Sequence, residues 1–170
     1  MGLDLKRQTT SDAESRESIR VGNYGVIHRF RKIVTLITVR HYLRAGQTSL
    51  ADEAMHLFPG DYPEDWQTQL MAWTKKHSLA PEWLNDNDVD YSGVIDDVSD
   101  ERLRGLLKFV DHSDCNGRHS CGDVVDIATL FERMSPDAEE VLMPEDLSAW
   151  MDIGSFFLAA RDGHEYIRYC

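Results

Sequence analysis

Cysteine is scarce in this chain: Cys115, Cys121 and Cys170 are the only three. An odd count that small, without an apolar leader, argues against a disulfide framework and for reduced thiols. No stretch approaches the roughly 20 consecutive apolar residues of a membrane-spanning helix. The opening Met1-Gly2-Leu3-Asp4-Leu5-Lys6-Arg7 lacks the apolar core of a secretory signal, and Lys6 stands where a myristoylation motif needs Ser or Thr. The expected location is the cytoplasm. Positive charge is also in short supply: 18 Lys and Arg face 30 Asp and Glu, a net charge of −12. That balance disfavours direct nucleic-acid binding, which wants clustered cations. C-x-x-C pairs, H-E-x-x-H, a nucleophile elbow and a phosphate-cradling glycine loop are all missing, so the chain is expected to be non-enzymatic.

What is present is enough for a core. The 170 residues are 42% apolar, which suits one globular domain over 1–170. The charge is polarised. Residues 1–50 hold nine Lys and Arg against four Asp and Glu, about +5, while residues 51–170 carry about −17. A basic segment docking on an acidic body is the first expectation. The alternative leaves Arg29, Arg31, Lys32, Arg40 and Arg44 free for an outside partner, such as an acidic protein or a phosphate-bearing ligand. The acidic stretches also admit a DNA-mimic inhibitor.

Val26 to Arg44 combines apolar and basic residues, with Val26, Phe30, Ile33, Val34 and Ile37 at helical spacing. Its β-branched run Ile33–Val39 would equally make a buried strand; the length of the segment favours helix. Further helices are expected near 49–58, 64–77, 100–110, 121–134 and 145–161. Pro63-Glu64-Asp65 and Pro144-Glu145-Asp146 mark starts, with proline in the first turn and carboxylates suiting the dipole. Ser135-Pro136-Asp137 reads as a weaker start of the same kind. Trp66, Trp73, Trp150, Phe156 and Phe157 fit a core, Trp83 a loop clamp. Residues 8–19 read as a mobile loop, Asn23-Tyr24-Gly25 as a turn, and Asn85–Asp97 as an exposed acidic loop. Gly2–Leu5 and Glu165–Tyr169 alternate like strands, so a small sheet is expected to join the two ends. The class is therefore mainly α (α+β), with about five or six helices.

One segment carries chemistry. Leu103, Leu106, Leu107 and Val110 make a helical stripe before a polar loop, and Val124, Ile127, Ala128 and Phe131 make one after it. With Gly117 at position 6 of a twelve-residue calcium loop, His112 falls at 1, Asp114 at 3, Asn116 at 5, Ser120 at 9 and Asp123 at 12. His112 offers nitrogen where a hard cation wants oxygen, and Asp123 is shorter than the usual bidentate Glu. The loop therefore reads as a degenerate EF-hand-like turn, with no cofactor expected; weak calcium is the alternative. His112, Cys115, His119 and Cys121 supply nitrogen and sulfur for zinc, although H-x2-C-x3-H-x-C is not a common zinc spacing. Catalysis by Cys115 or Cys121 with His112 or His119 is a further alternative, needing a base oriented by a third group.

The start Met1-Gly2-Leu3-Asp4, the segment Gly22-Asn23-Tyr24-Gly25-Val26-Ile27-His28-Arg29-Phe30-Arg31-Lys32 and the loop Asp111-His112-Ser113-Asp114-Cys115-Asn116-Gly117 occur in this order. Together they resemble a set of uncharacterised bacterial and phage proteins that open Met-Gly-Leu-Asp and carry a His-Ser-Asp-Cys-Asp-Gly loop. The match covers about a third of the chain. The resemblance implies a fold neighbourhood and a microbial or viral origin, and no activity. The expected function is a small acidic interaction protein of the cytoplasm (the host's, if viral), with another protein as partner.

Overall fold

The computed structural model describes residues 3–9, 17–56, 98–110 and 117–169. Five helices occur among them: α1 (Tyr24–Arg44), α2 (Thr48–His56), α3 (Glu101–Val110), α4 (Cys121–Val141) and α5 (Pro144–Asp162). Four strands, β1 (Leu3–Gln8), β2 (Glu17–Gly22), β3 (Gly117–His119) and β4 (Tyr166–Tyr169), form one antiparallel sheet in the order β2-β1-β4-β3. The class is thus mainly helical with a small sheet, and β1 pairs with β4 as the alternating ends suggest. The expected helix over 64–77, the acidic loop 85–97 and Trp66, Trp73 and Trp83 lie outside the described residues.

α1 settles the ambiguity of the Ile33–Val39 run as helix. Every residue from Phe30 to Arg40 is buried, as expected of a helix apolar on most sides. Its two buried threonines are satisfied locally. Thr35 Oγ1 donates to the Arg31 carbonyl at 3.0 Å and Thr38 Oγ1 to the Val34 carbonyl at 2.8 Å. Asn23, read from sequence as part of a turn, is the N-cap of α1: its side chain accepts from the Val26 amide at 3.1 Å. Gly22 makes the corner from β2 possible at φ +114°.

α4 is the hub, packing against α1, α3 and α5. Phe131, fully buried on α4, stacks with Trp150 (centroids 4.9 Å apart), Phe109 (5.5 Å) and Phe157 (6.0 Å). Edge-on and offset pairs of this kind add to the burial of their area. α3 approaches α4 backbone to backbone at Gly105, where a Cβ would overlap the Asp126 carbonyl and lie 3.2 Å from Leu130 Cβ. α5 crosses the same helix at Gly154, against the Phe131 ring.

Two sequence expectations are corrected. Glu17–Gly22, partly read as mobile loop, is strand β2, with Leu5 opposite Ile19 and Lys6 opposite Ser18. An edge strand covered on one face needs only two apolar residues, Ile19 and Val21, which pack on the core. Gln8, at the other end of that reading, belongs to β1. Ser135-Pro136 starts no helix; α4 runs through it to Val141. Pro136 has no N–H to give the Glu132 carbonyl. Next to it, Ser135 Oγ donates to the Phe131 carbonyl at 2.7 Å and accepts from Trp150 Nε1 at 3.2 Å, so packing on α5 holds the turn together.

α1 and α5 end alike. Gly46 (φ +71°) follows α1, with its N–H on the Leu43 carbonyl and that of Gln47 on Tyr42. His164 (φ +53°) follows α5, with its N–H on the Arg161 carbonyl and that of Glu165 on Ala160. These paired bonds are the Schellman arrangement, whose left-handed position glycine usually fills. His164→Gly should therefore raise stability by about 0.5–1 kcal/mol in urea unfolding, the relief of the left-handed strain less glycine's extra unfolded entropy. Gly105→Ala should cost about 2–3 kcal/mol by the same measurement, because neither helix backbone can yield cheaply. A Gly105→Ala variant as stable as the parent would show that α3 and α4 are not packed this closely.

Candidate functional site

The helix–loop–helix segment was the first candidate. Its His112, Asp114, Cys115 and Asn116 lie outside the described residues. From Gly117 onward its groups serve the fold. Gly117 opens β3 opposite Tyr169, and Arg118 and His119 pair with Arg168 and Ile167. His119 is 2% exposed, wedged between the rings of Phe157 and Tyr169, with Nε2 2.8 Å from the Tyr169 hydroxyl. Ser120 and Asp123 form a reciprocal capping box at the start of α4. Ser120 Oγ accepts from the Asp123 amide at 3.2 Å, and Asp123 Oδ2 accepts from the Ser120 amide at 2.9 Å. Lys108 of α3 adds an ion pair to Asp123 at 3.0 Å. Burial alone would raise the Asp123 carboxyl, but Lys108 and Ser120 outweigh it and hold it below its usual value. Cys121 Sγ lies 3.5 Å from the His164 carbonyl. Among the described residues, no group of three or more His, Cys, Asp or Glu could hold a metal ion.

The basic residues of α1, expected as partner contacts, divide into two sets. Arg31 and Lys32 are 3% and 0% exposed, so their side of the helix faces inward and offers nothing to a partner. Burial lowers the Lys32 ammonium to about 7. Arg29 pairs with Asp146 of α5 at 2.8 Å. Arg40 and Arg44 reach the end of α4, where Arg40 pairs with Asp137 and lies 3.0 Å from Glu140, and Arg44 pairs with both carboxylates. The helix-to-body pairing thus uses the same arginines that sequence offered to an outside partner.

A titratable cluster that the sequence did not single out lies beside this pairing. His41 Nδ1 is 2.9 Å from Asp137 Oδ2, and its Nε2 is 3.2 Å from Arg102 Nη1. A guanidinium only donates and a carboxylate only accepts, so the ring has an acceptor facing Nδ1 and a donor facing Nε2. An Asp–His pair is the usual way to orient a base. Here the nitrogen that would take a proton faces Arg102. Asp100 completes the cluster, accepting from Tyr42 Oη at 2.8 Å, from Arg102 Nη2 at 2.6 Å and from the Leu103 amide at 3.2 Å.

The sheet presents the other feature. Its inner side carries Leu5, His119, Ile167 and Tyr169, all buried. On the opposite side, one rung crosses all four strands as Ser18, Lys6, Arg168 and Arg118. Ser18, Arg118 and Arg168 are exposed and Lys6 is half-buried. The next rung sets Asp4 opposite Arg20. Alternation in Leu5-Lys6-Arg7 and Tyr166-Ile167-Arg168-Tyr169 indicates which residues face outward, but the register that aligns them is not readable from the chain. A half-open groove of about 510 Å³ separates β2 from α5, lined by Ile19, Val21, Ile153 and Phe156 with Glu17, Arg20 and Asp152. Its described lining carries no Cys or His.

Asp100 generates a pH prediction. Burial pushes its carboxyl upward, but the bonds from Arg102, Tyr42 and Leu103 together outweigh that and bring it down from 3.8 to about 2. A carboxyl depressed in the folded state stabilises above its unfolded value and stops doing so as pH falls through its folded value. Stability on the order of 2 kcal/mol should therefore drain away between about pH 4 and pH 2. Asp100→Asn should lower the melting temperature at neutral pH and flatten the acid limb, and an unchanged acid limb would deny Asp100 this role. Compared with family models, curated proteins and solved structures, the chain matches none of them.

Proposed function

We propose that this chain is a small acidic interaction protein of the cytoplasm (the host's, if viral) that performs no chemistry itself and uses its 101–141 helix–loop–helix as scaffold. The observation that carries the reading is the use made of the loop's described side chains. His119 Nε2 meets Tyr169 inside the core, and Asp123 is held between the Ser120 amide and Lys108. A metal ligand or catalytic base needs a free lone pair directed at its target; these groups are instead engaged in joining β3 to β4 and α3 to α4. α4 begins at position 10 of the twelve-residue register, with Ser120 as its N-cap. That placement supports a degenerate EF-hand-like turn whose closing carboxylate has become a helix cap.

Calcium and zinc titrations followed by thermal melting test the reading. The melting temperature should not move at about 1 mM calcium or at micromolar zinc. A site with Kd near 10 μM would stabilise by about 2.7 kcal/mol at that calcium level, raising the melting point by several degrees. Such a shift, or a chelator-sensitive metal adduct in the native mass spectrum, would replace scaffold with metal-binding protein. His119→Gln and Asp123→Asn should each lower the melting temperature in metal-free buffer, as befits structural groups.

A further inference from the structure

We infer that the outward face of the sheet is the docking surface, and that it takes an acidic, carboxylate-rich segment of a partner protein, a role that rests on the interaction-protein reading above. The face sets four cations, Lys6, Arg20, Arg118 and Arg168, against one carboxylate, Asp4, among the described residues. In a chain of net charge −12 that is a local reversal of sign. Arg168 stands directly between Lys6 and Arg118 on the two flanking strands. Like charges facing one another across antiparallel strands destabilise a sheet. Most helical arginines are matched: Arg29, Arg40, Arg44, Arg104 and Arg161 all have carboxylate partners, while the exposed Arg133 stands alone on α4 among the described residues. On the sheet Arg20 faces Asp4 across the strands, while Lys6, Arg118 and Arg168 have no carboxylate partner among the described residues. The fold thus neutralises most of its helical arginines and leaves the row Lys6–Arg168–Arg118 repulsive on the sheet, which an anion from outside would relieve.

The geometry favours carboxylates over nucleic acid. Neighbouring cations in the row sit about 4.8 Å apart, and acidic side chains two residues apart on an extended segment recur about every 6.6 Å. Long Lys and Arg side chains cover that difference, and a guanidinium takes a carboxylate in a two-pronged bond. Single-stranded nucleic acid instead needs open aromatic faces for stacking. The outward aromatic among the described strands is Tyr166, and the Arg118 guanidinium already covers its ring, 5.8 Å from the centroid.

Fluorescence anisotropy with a labelled peptide of about ten glutamates, on the full chain at low salt, tests this. The wild type should bind the peptide, and salt near 0.2 M should weaken the complex. The double variant Arg118→Glu, Arg168→Glu should bind at least tenfold more weakly, while Arg133→Glu, an exposed change on α4, should bind as the parent does. Melting curves give a second readout. Arg168→Glu alone should raise the melting temperature, because it puts a carboxylate between two cations. No peptide binding at low salt, equal loss in Arg133→Glu, or a lower melting temperature for Arg168→Glu would each overturn the proposal. So would tighter binding of an oligo-thymidine of matching length, which would make the face a nucleic-acid surface. Failure on any of these counts removes this face; the scaffold role of His119 and Asp123 stands or falls separately, on the metal titrations.

Discussion

The approach of α3 to α4 at Gly105 governs the rest of the molecule. Because no side chain intervenes there, the two helices come close enough for Asp126 to be clamped from the α3 side. Arg104 grips both its oxygens at 2.7 and 2.8 Å, and Lys108 reaches one of them at 2.9 Å. Burial alone would raise the Asp126 carboxyl, but those two cations outweigh it. A carboxylate gripped this way fixes the helices along their length as well as in their spacing. Lys108, one turn beyond Arg104, also holds Asp123 and thereby the first turn of α4. β3 is therefore delivered to one place, and His119 enters the core against Phe157 and Tyr169.

Charge follows a division of labour along the same lines. Arg29, Arg40 and Arg44 of α1 end on carboxylates of α4 and α5, so the basic N-terminal part and the acidic remainder neutralise each other where they touch. Exposed pairs of this sort are individually worth about 0–1 kcal/mol. Arg40 and Asp137 differ because both side chains are about nine-tenths buried, and removing one would strand the other. Their value lies as much in fixing the angle of α1 on α4 as in stability.

Much of the fold was legible in the chain because it rests on periodicity and end signals. The stripe Leu103, Leu106, Leu107, Val110 gave α3, Pro144-Glu145-Asp146 gave the start of α5, and alternation at both ends gave β1 and β4. β2 was obscured because Ile19 and Val21 are too few to stand out in a polar stretch. Pro136 misled because its cost is met by tertiary contacts, Ser135 and Trp150, that no local rule contains. The candidate site was less legible. Residue types flagged His119 and Asp123 as chemical groups, whereas their occupation by Tyr169 and Lys108 depends on residues far along the chain or across a helix pair. The row Lys6–Arg168–Arg118 joins three distant segments, so composition dispersed a feature that register assembles.

The strand order has a kinetic side. β4 lies between β1 and β3, so the central rungs close a loop of more than 150 residues, from Leu5 to Tyr169. The helical contacts of α3, α4 and α5 span far shorter stretches of chain and carry a correspondingly smaller entropic cost of closure. During synthesis the helices can assemble while β1 and β2 wait as a two-stranded ribbon, which is marginal alone in water. The sheet becomes four-stranded only when Tyr166–Tyr169 emerge, and its outward row comes into alignment at that same moment.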